Sequence, residues 1–247
     1  MKISIITVTF NSAETIEKTI QSVISQSYKN LEYIIVDGKS TDETLAIIET
    51  YKSHITKIVS EKDNGLYDAL NKGIALATGD IIGILHSDDF YTDTNVLQLY
   101  ADTFSKNKLD AVYSDLYYVD RINTAKIIRK WKSGSYKANS FLYGWMPPHP
   151  TFFVKSDCYK KFGNFNLQFK SAADYELMLR FIHKNKINIT YLQYFTVKMR
   201  VGGKSNASVT NRVNANIEDR KAWEINNLKP YFFTLYFKPL RKIIQFL

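Results

Sequence analysis

The sequence predicts an α/β protein with a mostly parallel central sheet and helices on both faces of that sheet. Short runs rich in β-branched residues alternate with amphipathic segments through the first hundred residues. Such alternation is typical of strand–helix–strand units, in which neighbouring strands run parallel. The 247 residues suffice for one domain with a short appendage, and a hydrophobic content of 45% is enough for a sizeable core.

The amino-terminal half contains four predicted strand–helix pairs. Each strand is a run of Ile, Val, Leu or Thr, and each helix has apolar residues spaced three or four apart. Capping signatures at Asn11-x-x-Glu14 and Ser40-x-x-Glu43 predict the starts of two helices, and Gly79 predicts the end of a third. The predicted strands span 2–10, 31–37, 56–61 and 81–86, and the third and fourth helices span 67–78 and 95–105.

The pattern changes after residue 110. Two runs on either side of Ile122-Asn123 predict a β-hairpin, and a stretch rich in proline and aromatic residues fills 144–155. A helix is predicted at 171–184, and a strand at 191–200 is followed by a Gly-rich loop. The chain therefore divides into residues 1–110, residues 111–226 of the same domain, and a tail at 227–247.

Charge divides the chain near the same point. Residues 1–100 contain 8 basic and 14 acidic residues, whereas residues 101–247 contain 25 and 10. An acidic half suits a cation site, and a basic half suits an anionic ligand, a membrane surface or nucleic acid. The acidic first half and the lack of any helix-turn-helix or RNA-recognition signature argue against a nucleic-acid partner.

The composition points to a cytoplasmic protein. The single cysteine, Cys158, permits no internal disulfide, which favours a reducing compartment. The apolar run from Ile3 to Val8 is interrupted by polar residues and lacks a cleavage site, so it indicates a strand rather than a signal peptide. No stretch approaches the ~18 uncharged apolar residues that a membrane-spanning helix needs.

Carboxylates follow two of the predicted parallel strands. Asp37 ends the second strand, and Asp88 and Asp89 follow the fourth, so all three are expected at the sheet edge where α/β proteins bind ligands. Adjacent carboxylates repel each other unless a cation lies between them and another anion. Since Mg²⁺ and Mn²⁺ bind carboxylates together with substrate phosphates, the pattern predicts a divalent cation that holds a nucleotide diphosphate. The alternative is turn and cap chemistry before the helix at 95–105.

Other well-known motifs are absent from the sequence. It has no G-x-G-x-x-G, and "VGGKS" at 201–205 lacks the earlier glycine of a P-loop. It has neither G-x-S-x-G nor H-E-x-x-H, and its four histidines show no metal-ligand spacing. The strand-end carboxylates therefore remain the main chemical signal.

Several segments, in order, resemble the family 2 inverting glycosyltransferases of the GT-A fold. "ISIITVTFN" resembles the family's first strand, "VDGKSTDET" its nucleotide-contacting segment, and "GLYDALNKGIALATGDIIGILHSDD" the approach to its metal motif. "HPTFFVK", "SAADYELMLR" and "MRVGGKS" resemble the acceptor-side segments of members that build bacterial surface polysaccharides. The resemblance covers roughly residues 1–205. It implies a Rossmann-like half at 1–110 that binds a nucleotide sugar, and an acceptor-binding and catalytic half at 111–226.

The resemblance implies roles for individual residues. Asp89 matches the metal-binding aspartate, with Asp88 beside it on the metal or the ribose, and Asp174 matches the general base. The implied cofactor is Mn²⁺ or Mg²⁺, and the implied donor is a nucleotide sugar, with UDP as the nucleotide by family habit. The implied acceptor is a glycan or a lipid-linked glycan. The implied donor-binding residues are Thr9, Phe10, Asn11, Asp37, Asp68, Asn71, Lys72, Asp88, His149 and Arg200.

Two of these segments have a second interpretation, and another departs from the family pattern. Ser171-x-x-Asp174 fits a capping box, so Asp174 would then stabilise a helix start. Many family members have an arginine where this chain has Leu70, and Lys72 is expected to supply that positive charge to the diphosphate. The loop that contains Ser205 either closes over phosphates or forms a mobile surface loop.

Three functions fit these observations. The first is a hexosyl- or N-acetylhexosaminyl-transferase. The second is a metal-dependent nucleotidyltransferase, but such enzymes usually have a Gly-rich phosphate loop near their start, and none is present here. The third is a non-catalytic nucleotide-sugar-binding component of a glycan-assembly complex, which would lack a base, whereas Asp174 is present.

The tail at 227–247 is basic and aromatic. It contains Lys229, Lys238, Arg241 and Lys242 and no acidic residue, and Pro239 limits the length of any helix. This composition predicts an interfacial anchor on anionic lipid, at the inner face of the plasma membrane. The alternative is a tail that packs against the domain or a partner subunit.

Overall fold

Parallel strands form the first part of the sheet. The computed structural model describes residues 1–106, 108–202 and 209–241, with the backbone alone for 209–215, 239 and 240. Strand β1 (Ile3–Thr9) lies between β2 (Leu31–Asp37) and β4 (Ile81–Ile84), and β3 (Lys57–Ser60) pairs with β2. All of these pairings are parallel, as the strand–helix alternation predicts.

The second part of the sheet is mixed rather than parallel. It consists of β5 (Asp89–Tyr91), β6 (Ala111–Val119), β7 (Ile127–Trp131), β8 (Phe153–Lys155) and β9 (Ile189–Arg200). The order along the sheet is β3-β2-β1-β4-β8-β6-β9-β5, and β7 forms the predicted hairpin with β6. Among these strands, only β6 and β9 pair in parallel, and the other pairings are antiparallel.

Strand β4 ends earlier than predicted. It stops at Ile84, and Asp89 begins β5, which runs antiparallel to β9. Helix α1 (Ile16–Ile24) fixes the connecting turn, since the Thr19 hydroxyl donates to the carbonyls of both Ser87 and Asp89. Asp88 and Asp89 therefore lie in a turn and at a strand start, beside the carboxyl ends of the parallel strands.

Helices cover both faces of the sheet. Successive residues of β1 point to opposite faces, so Ile6 packs with Leu70 in one buried cluster and Ile5 packs with Ile20 in the other. The remaining helices are α2 (Thr44–Thr50), α3 (Leu66–Leu76), α4 (Val96–Lys106), α5 (Ser156–Phe162), α6 (Ala173–Met178), α7 (Val209–Ile225) and α8 (Thr234–Leu240). Helix α6 continues as a π-helical turn, Leu179–Lys184, so the helix predicted at 171–184 is present but changes its winding.

The described part of the tail packs against the domain, which is the alternative that the sequence analysis gave to a lipid anchor. Leu235 is buried, the Thr234 hydroxyl donates to the Leu142 carbonyl at 2.6 Å, and Lys238 Nζ lies 2.6 Å from Asp219 Oδ1. Residues 242–247, including Lys242, lie outside the described residues. Within the described ranges, no helix is long and apolar enough to cross a membrane.

Candidate active site

The chain turns sharply where β1 ends. Asn11 has a left-handed backbone (φ 49°), a conformation that Asn tolerates better than most residues, and its Oδ1 accepts a hydrogen bond from Thr41 N at 2.9 Å. Asn11 therefore holds the loop after β2, and it does not cap α1 as the sequence suggested. The neighbouring Phe10 ring is half exposed, and the buried Thr9 hydroxyl has no hydrogen-bond partner within the described residues.

Asp37 is fully buried at the end of β2, and its carboxylate is satisfied by the chain itself. Ser60 Oγ and Ser40 N donate to Oδ2 at 2.6 and 3.0 Å, and Ser40 Oγ donates to Oδ1. The predicted capping box at Ser40 does not form, because α2 begins at Thr44 and the Ser40 hydroxyl donates to Asp37. Asp37 therefore organises the loop beside β1, and its contact with a nucleotide base stays a prediction.

Lys72 is neutralised by acidic residues. Its Nζ lies 2.6 Å from Asp63 Oδ1, 2.8 Å from Glu61 Oε1 and 3.7 Å from Asp68 Oδ2. The hydrogen bonds that Lys72 donates to Asp63 and Glu61 raise the pKa of Lys72. Lys72 therefore holds acidic residues of this loop together, and its contact with a diphosphate stays a prediction.

Asp63 is a carboxylate that the sequence reasoning missed. A Cβ atom on Gly38 would lie 3.1 Å from Asp63 Oδ2 and 3.4 Å from the Phe10 ring, so glycine permits the close approach of these groups. Asp63 follows β3 by three residues. The strand-end argument, extended from the second and fourth strands to the third, would have identified it.

Asp68 and Asn71 of α3 make structural hydrogen bonds. Asp68 Oδ2 accepts from Asn64 N at 2.9 Å. The side-chain amide of Asn71 exchanges two bonds with the backbone of Phe165, at 2.9 and 3.0 Å. Both residues therefore have partners within the fold, and their predicted contacts with the donor stay predictions.

Asp89 is the least satisfied charged group of the site. It is 1% exposed, and neither carboxylate oxygen has a hydrogen-bond partner within the described residues. Burial raises its pKa, the charge of Asp88 adds to this effect, and Arg200 counteracts it. The Arg200 guanidinium, which is also buried, donates to the Asp88 carbonyl.

Asp88 and Asp89 fit a divalent cation. A buried carboxylate without a partner is costly, and a bound cation would remove that cost. The described residues contain no cluster of three or more His, Cys, Asp or Glu side chains suited to a metal. Phosphate oxygens and water would therefore have to complete the coordination, which is the usual arrangement for Mg²⁺ at nucleotide sites.

Two histidines, the half-buried His86 and the buried His149, lie beside these carboxylates. The ring centroids of His86 and His149 are 5.7 Å apart, and His149 also packs edge-on against Phe165. Burial, followed by the nearby His86, lowers the pKa of His149 to about 3, so its imidazole is neutral at pH 7. The sequence reasoning predicted His149 but missed His86, because it considered only carboxylates after the fourth strand.

Asp174 lies in the first turn of α6 and is half-buried. The Tyr67 hydroxyl donates to its Oδ1 at 3.4 Å. The capping box with Ser171 does not form. Instead, Glu218 of α7 accepts hydrogen bonds from the backbone N–H groups of Ser171 and Ala172, at 2.8 and 2.9 Å. Asp174 is therefore not needed as a cap.

Asp174 shares two neighbours with the paired aspartates. Burial lowers the pKa of His86, and the charges of Asp88 and Asp174 both oppose that shift. Burial raises the pKa of Tyr118, near the end of β6, and the charges of Asp89 and Asp174 both add to that shift. The carboxylate of Asp174 therefore lies within electrostatic range of the same two side chains as the carboxylates of Asp88 and Asp89. Ser205, predicted in the adjoining loop, lies outside the described residues.

Comparison with known sequences identifies the family. The model of glycosyl transferase family 2 matches residues 4–161. An uncharacterised glycosyltransferase of Mycobacterium tuberculosis is 32% identical over 181 residues, which are 72% of this chain and 68% of that protein. A PGL/p-HBAD biosynthesis glycosyltransferase of Mycobacterium bovis is 29% identical over 210 residues, with 83% and 80% of the two chains covered.

Solved structures share the fold. Residues 1–349 of Staphylococcus aureus TarS, in complex with UDP-GlcNAc, superpose with a TM-score of 0.73 at 20% identity. The match covers 92% of this chain but 65% of the TarS chain, just under two thirds of it. The mannosyltransferase PcManGT of Pyrobaculum calidifontis, in complex with GDP-Man and Mn²⁺, superposes with a TM-score of 0.69 at 18% identity, over 96% of this chain and 68% of the other. The predicted GT-A fold is thereby confirmed, and the chain is a glycosyltransferase that belongs to glycosyl transferase family 2.

Proposed function

We propose that this enzyme transfers a sugar, with inversion, from a nucleoside diphosphate to a hydroxyl group of a glycan or lipid-linked glycan. UDP is the proposed nucleotide, Mn²⁺ or Mg²⁺ the proposed cofactor and Asp174 the proposed base. The observation that supports this most strongly concerns two carboxylates that act on the same side chain, Tyr118. Asp174 is not needed to cap its helix, and the buried Asp89 has no hydrogen-bond partner within the described residues. One group suits proton removal and the other suits a cation.

The departing diphosphate needs stabilisation of its growing negative charge. A divalent cation held by Asp88 and Asp89 would supply much of this stabilisation. Arg200 provides a fixed positive charge beside the same carboxylates. His149 is neutral, so it can exchange a hydrogen bond with the donor without competing with the cation for negative groups.

Two groups at the end of β1 could contact the nucleotide. The half-exposed Phe10 ring offers a face for the base, and the unpartnered Thr9 hydroxyl offers a hydrogen bond. The TarS structure contains UDP-GlcNAc and the PcManGT structure contains GDP-Man. These neighbours support a nucleotide-sugar donor, and the preference for UDP is the narrower part of the proposal.

The acceptor hydroxyl has to lose its proton as it attacks the sugar carbon. Asp174 would take that proton, while the Tyr67 hydroxyl helps to hold the carboxylate in place. Attack from the face opposite the leaving diphosphate inverts the anomeric configuration. A single carboxylate base suffices for that mechanism, since no covalent sugar–enzyme intermediate forms.

A donor screen tests this function. We expect one UDP-sugar to be hydrolysed or transferred in the presence of Mn²⁺, to be inert after chelation, and to give a product of the opposite anomeric configuration by ¹H NMR. Retention of configuration, or turnover that does not depend on metal, would contradict the proposal. Turnover of GDP-sugars alone would contradict the preference for UDP but not the proposed metal-dependent, inverting transfer.

We also infer that the enzyme binds the inner face of the membrane peripherally. The tail and a neighbouring turn expose aromatic rings, including Phe232 (88% exposed), Tyr236 and Tyr143. Lys229 and Arg241 are exposed in the same segment. Exposed aromatic rings near basic residues are typical of surfaces that bind anionic lipid, and such binding would suit a lipid-linked acceptor.

Vesicle flotation tests the membrane surface without removing the packed tail. We expect Phe232→Ser combined with Tyr236→Ser to reduce flotation with phosphatidylglycerol vesicles. The matched control is Ile122→Ser, an equally exposed apolar residue on the β6–β7 turn. Equal flotation of the double variant and the control would refute the membrane surface.

A further inference from the structure

A second cleft, of about 620 Å³, lies along β6 and β9. The rings of Tyr117 and Phe195 form one wall, stacked with centroids 3.9 Å apart and planes 7° from parallel. Tyr191 and Tyr194 line the same cleft, and Tyr194 is exposed. The cleft therefore presents flat aromatic surface that faces solvent, a feature that the proposed transfer step does not use.

The acidic groups in the cleft are already bonded. Asp115 is 3% exposed, and its carboxylate accepts bonds from the Tyr191 hydroxyl, at 2.9 and 2.8 Å, and from Ser133 N at 2.7 Å. Asp93 Oδ2 accepts from the Tyr194 hydroxyl at 2.8 Å. Both carboxylates therefore already have hydrogen-bond donors within the fold.

Within the described ranges, the basic groups in the cleft are not ion-paired. Lys132 and Lys198 both line it, and neither forms an ion pair with any carboxylate in the described part of the chain. Lys132 is exposed. The charged side chains that line the cleft are two lysines and two aspartates. Because the aspartates already accept hydrogen bonds and the lysines form no ion pair with a described residue, the lysines are the groups that an anionic ligand would contact.

A line of basic residues connects the cleft to the active site. Lys198 precedes Arg200 by two residues in β9, which is roughly 7 Å along a strand and close to the length of one sugar. Lys18, Lys198 and Arg200 all lie within 6 Å of the Phe90 ring, at 4.3, 5.9 and 5.0 Å. These cations repel one another, and that repulsion would be relieved by a bound anion.

We propose that this cleft binds an acidic stretch of the acceptor glycan, next to the sugar that receives the transfer. The lysines would pair with carboxylate or phosphodiester groups, and the aromatic wall would stack against sugar rings. This proposal rests on the proposed function in one respect, that the acceptor is a glycan. It narrows the acceptor to anionic chains of several sugars.

Calorimetric titration with defined oligosaccharides tests the cleft. The probes are an oligogalacturonate hexasaccharide, mannopentaose phosphate and neutral maltohexaose, at low ionic strength where charge interactions are least screened. We expect the wild type to bind at least one acidic probe and to bind it more tightly than the neutral one. The stronger acidic probe shows whether carboxylate or phosphate is the preferred charge.

The variant is Lys132→Gln combined with Lys198→Gln, and the control is Lys52→Gln, an exposed lysine beside the opposite edge strand. We expect the double variant to bind the acidic probe about fivefold more weakly, the loss typical of two partly exposed charge contacts, and the control to match the wild type. The proposal is overturned if the wild type binds neither acidic probe, or if the double variant binds as tightly as the control. Wild-type binding of UDP with Mn²⁺ is measured in parallel. If the wild type does not bind UDP but does bind the acidic oligosaccharide, the proposed function is contradicted and the proposal for the cleft is supported.

Discussion

Each end of the parallel sheet contains a buried carboxylate, and the two differ in their hydrogen bonds and in the direction of their pKa shifts. Where the strands begin, Glu32 is 2% exposed and accepts hydrogen bonds from Ser4, Thr78 and Lys2. Burial opposes its ionisation, but these bonds outweigh burial and lower the pKa of Glu32 to about 2. Where the strands end, Asp89 is 1% exposed, and its carboxylate has no hydrogen-bond partner in the described chain. Burial raises the pKa of Asp89.

This difference separates stability from function. A buried carboxylate that the fold satisfies stabilises the folded state, and one that the fold leaves unsatisfied destabilises the free protein. The second kind is tolerated where a ligand completes the arrangement, and such groups concentrate at functional sites. We therefore expect substitutions at the two ends to differ in sign as well as in size.

The largest effect is expected at Asp174. Asp174→Asn keeps the shape of the side chain but removes the basic oxygen, so we expect turnover to fall by at least about 100-fold with donor binding preserved. The matched control is Asp157→Asn, which makes the same change in the first turn of α5. Steady-state kinetics of both variants provide the test, and near wild-type turnover in Asp174→Asn would leave that residue with a structural role only.

The next effect is expected at Glu32. Glu32→Gln loses the charge that Lys2 and the hydroxyl donors stabilise, so we expect the free energy of unfolding to fall by about 2 kcal/mol, discounted because Lys2 is partly in water. Urea denaturation measures this change. Glu49→Gln, at an exposed glutamate paired with Lys52, is the control and should have almost no effect. Equal losses in the two variants would remove the distinction between the ends of the sheet.

A smaller, pH-dependent effect follows from the same group. Because the pKa of Glu32 is about 2 in the folded state and 4.5 ordinarily, its contribution to stability is complete above pH 4.5 and is lost as the pH falls towards 2. The difference in melting temperature between the wild type and Glu32→Gln should therefore shrink as the pH is lowered through this window. A difference that stays constant would show that Glu32 stabilises the fold by packing rather than by charge.

The sequence predicted the parts of the fold that depend on nearby residues. Strands β1 to β4, their intervening helices and the hairpin of β6 and β7 follow from local periodicity. Strand β5 was missed because its three residues pair with β9, more than a hundred residues away. Local pattern contains no information on such a distant partner.

The capping boxes failed for the same reason. Ser40 looked like a helix start, but its hydroxyl donates to Asp37 and also accepts from Asn11 N. Ser171 looked like the cap of α6, but Glu218 satisfies that helix start from α7. At the active site, strand-end position correctly selected Asp37, Asp88 and Asp89 as neighbours of the sheet edge. It could not show which of these carboxylates the fold would leave without partners.

The most direct test of the central claim is the melting temperature of Asp89→Asn with and without ligand. In metal-free buffer, we expect the variant to melt at the same temperature as the wild type or higher, because it lacks a buried carboxylate whose oxygens have no hydrogen-bond partner in the described chain. With Mn²⁺ and UDP at about 100 times the dissociation constant, the wild type should gain about 2.7 kcal/mol of stability and the variant almost none. A variant that melts lower than the wild type without metal, or that gains as much from Mn²⁺ and UDP, would contradict the assignment of this end of the sheet to a metal-dependent nucleotide site.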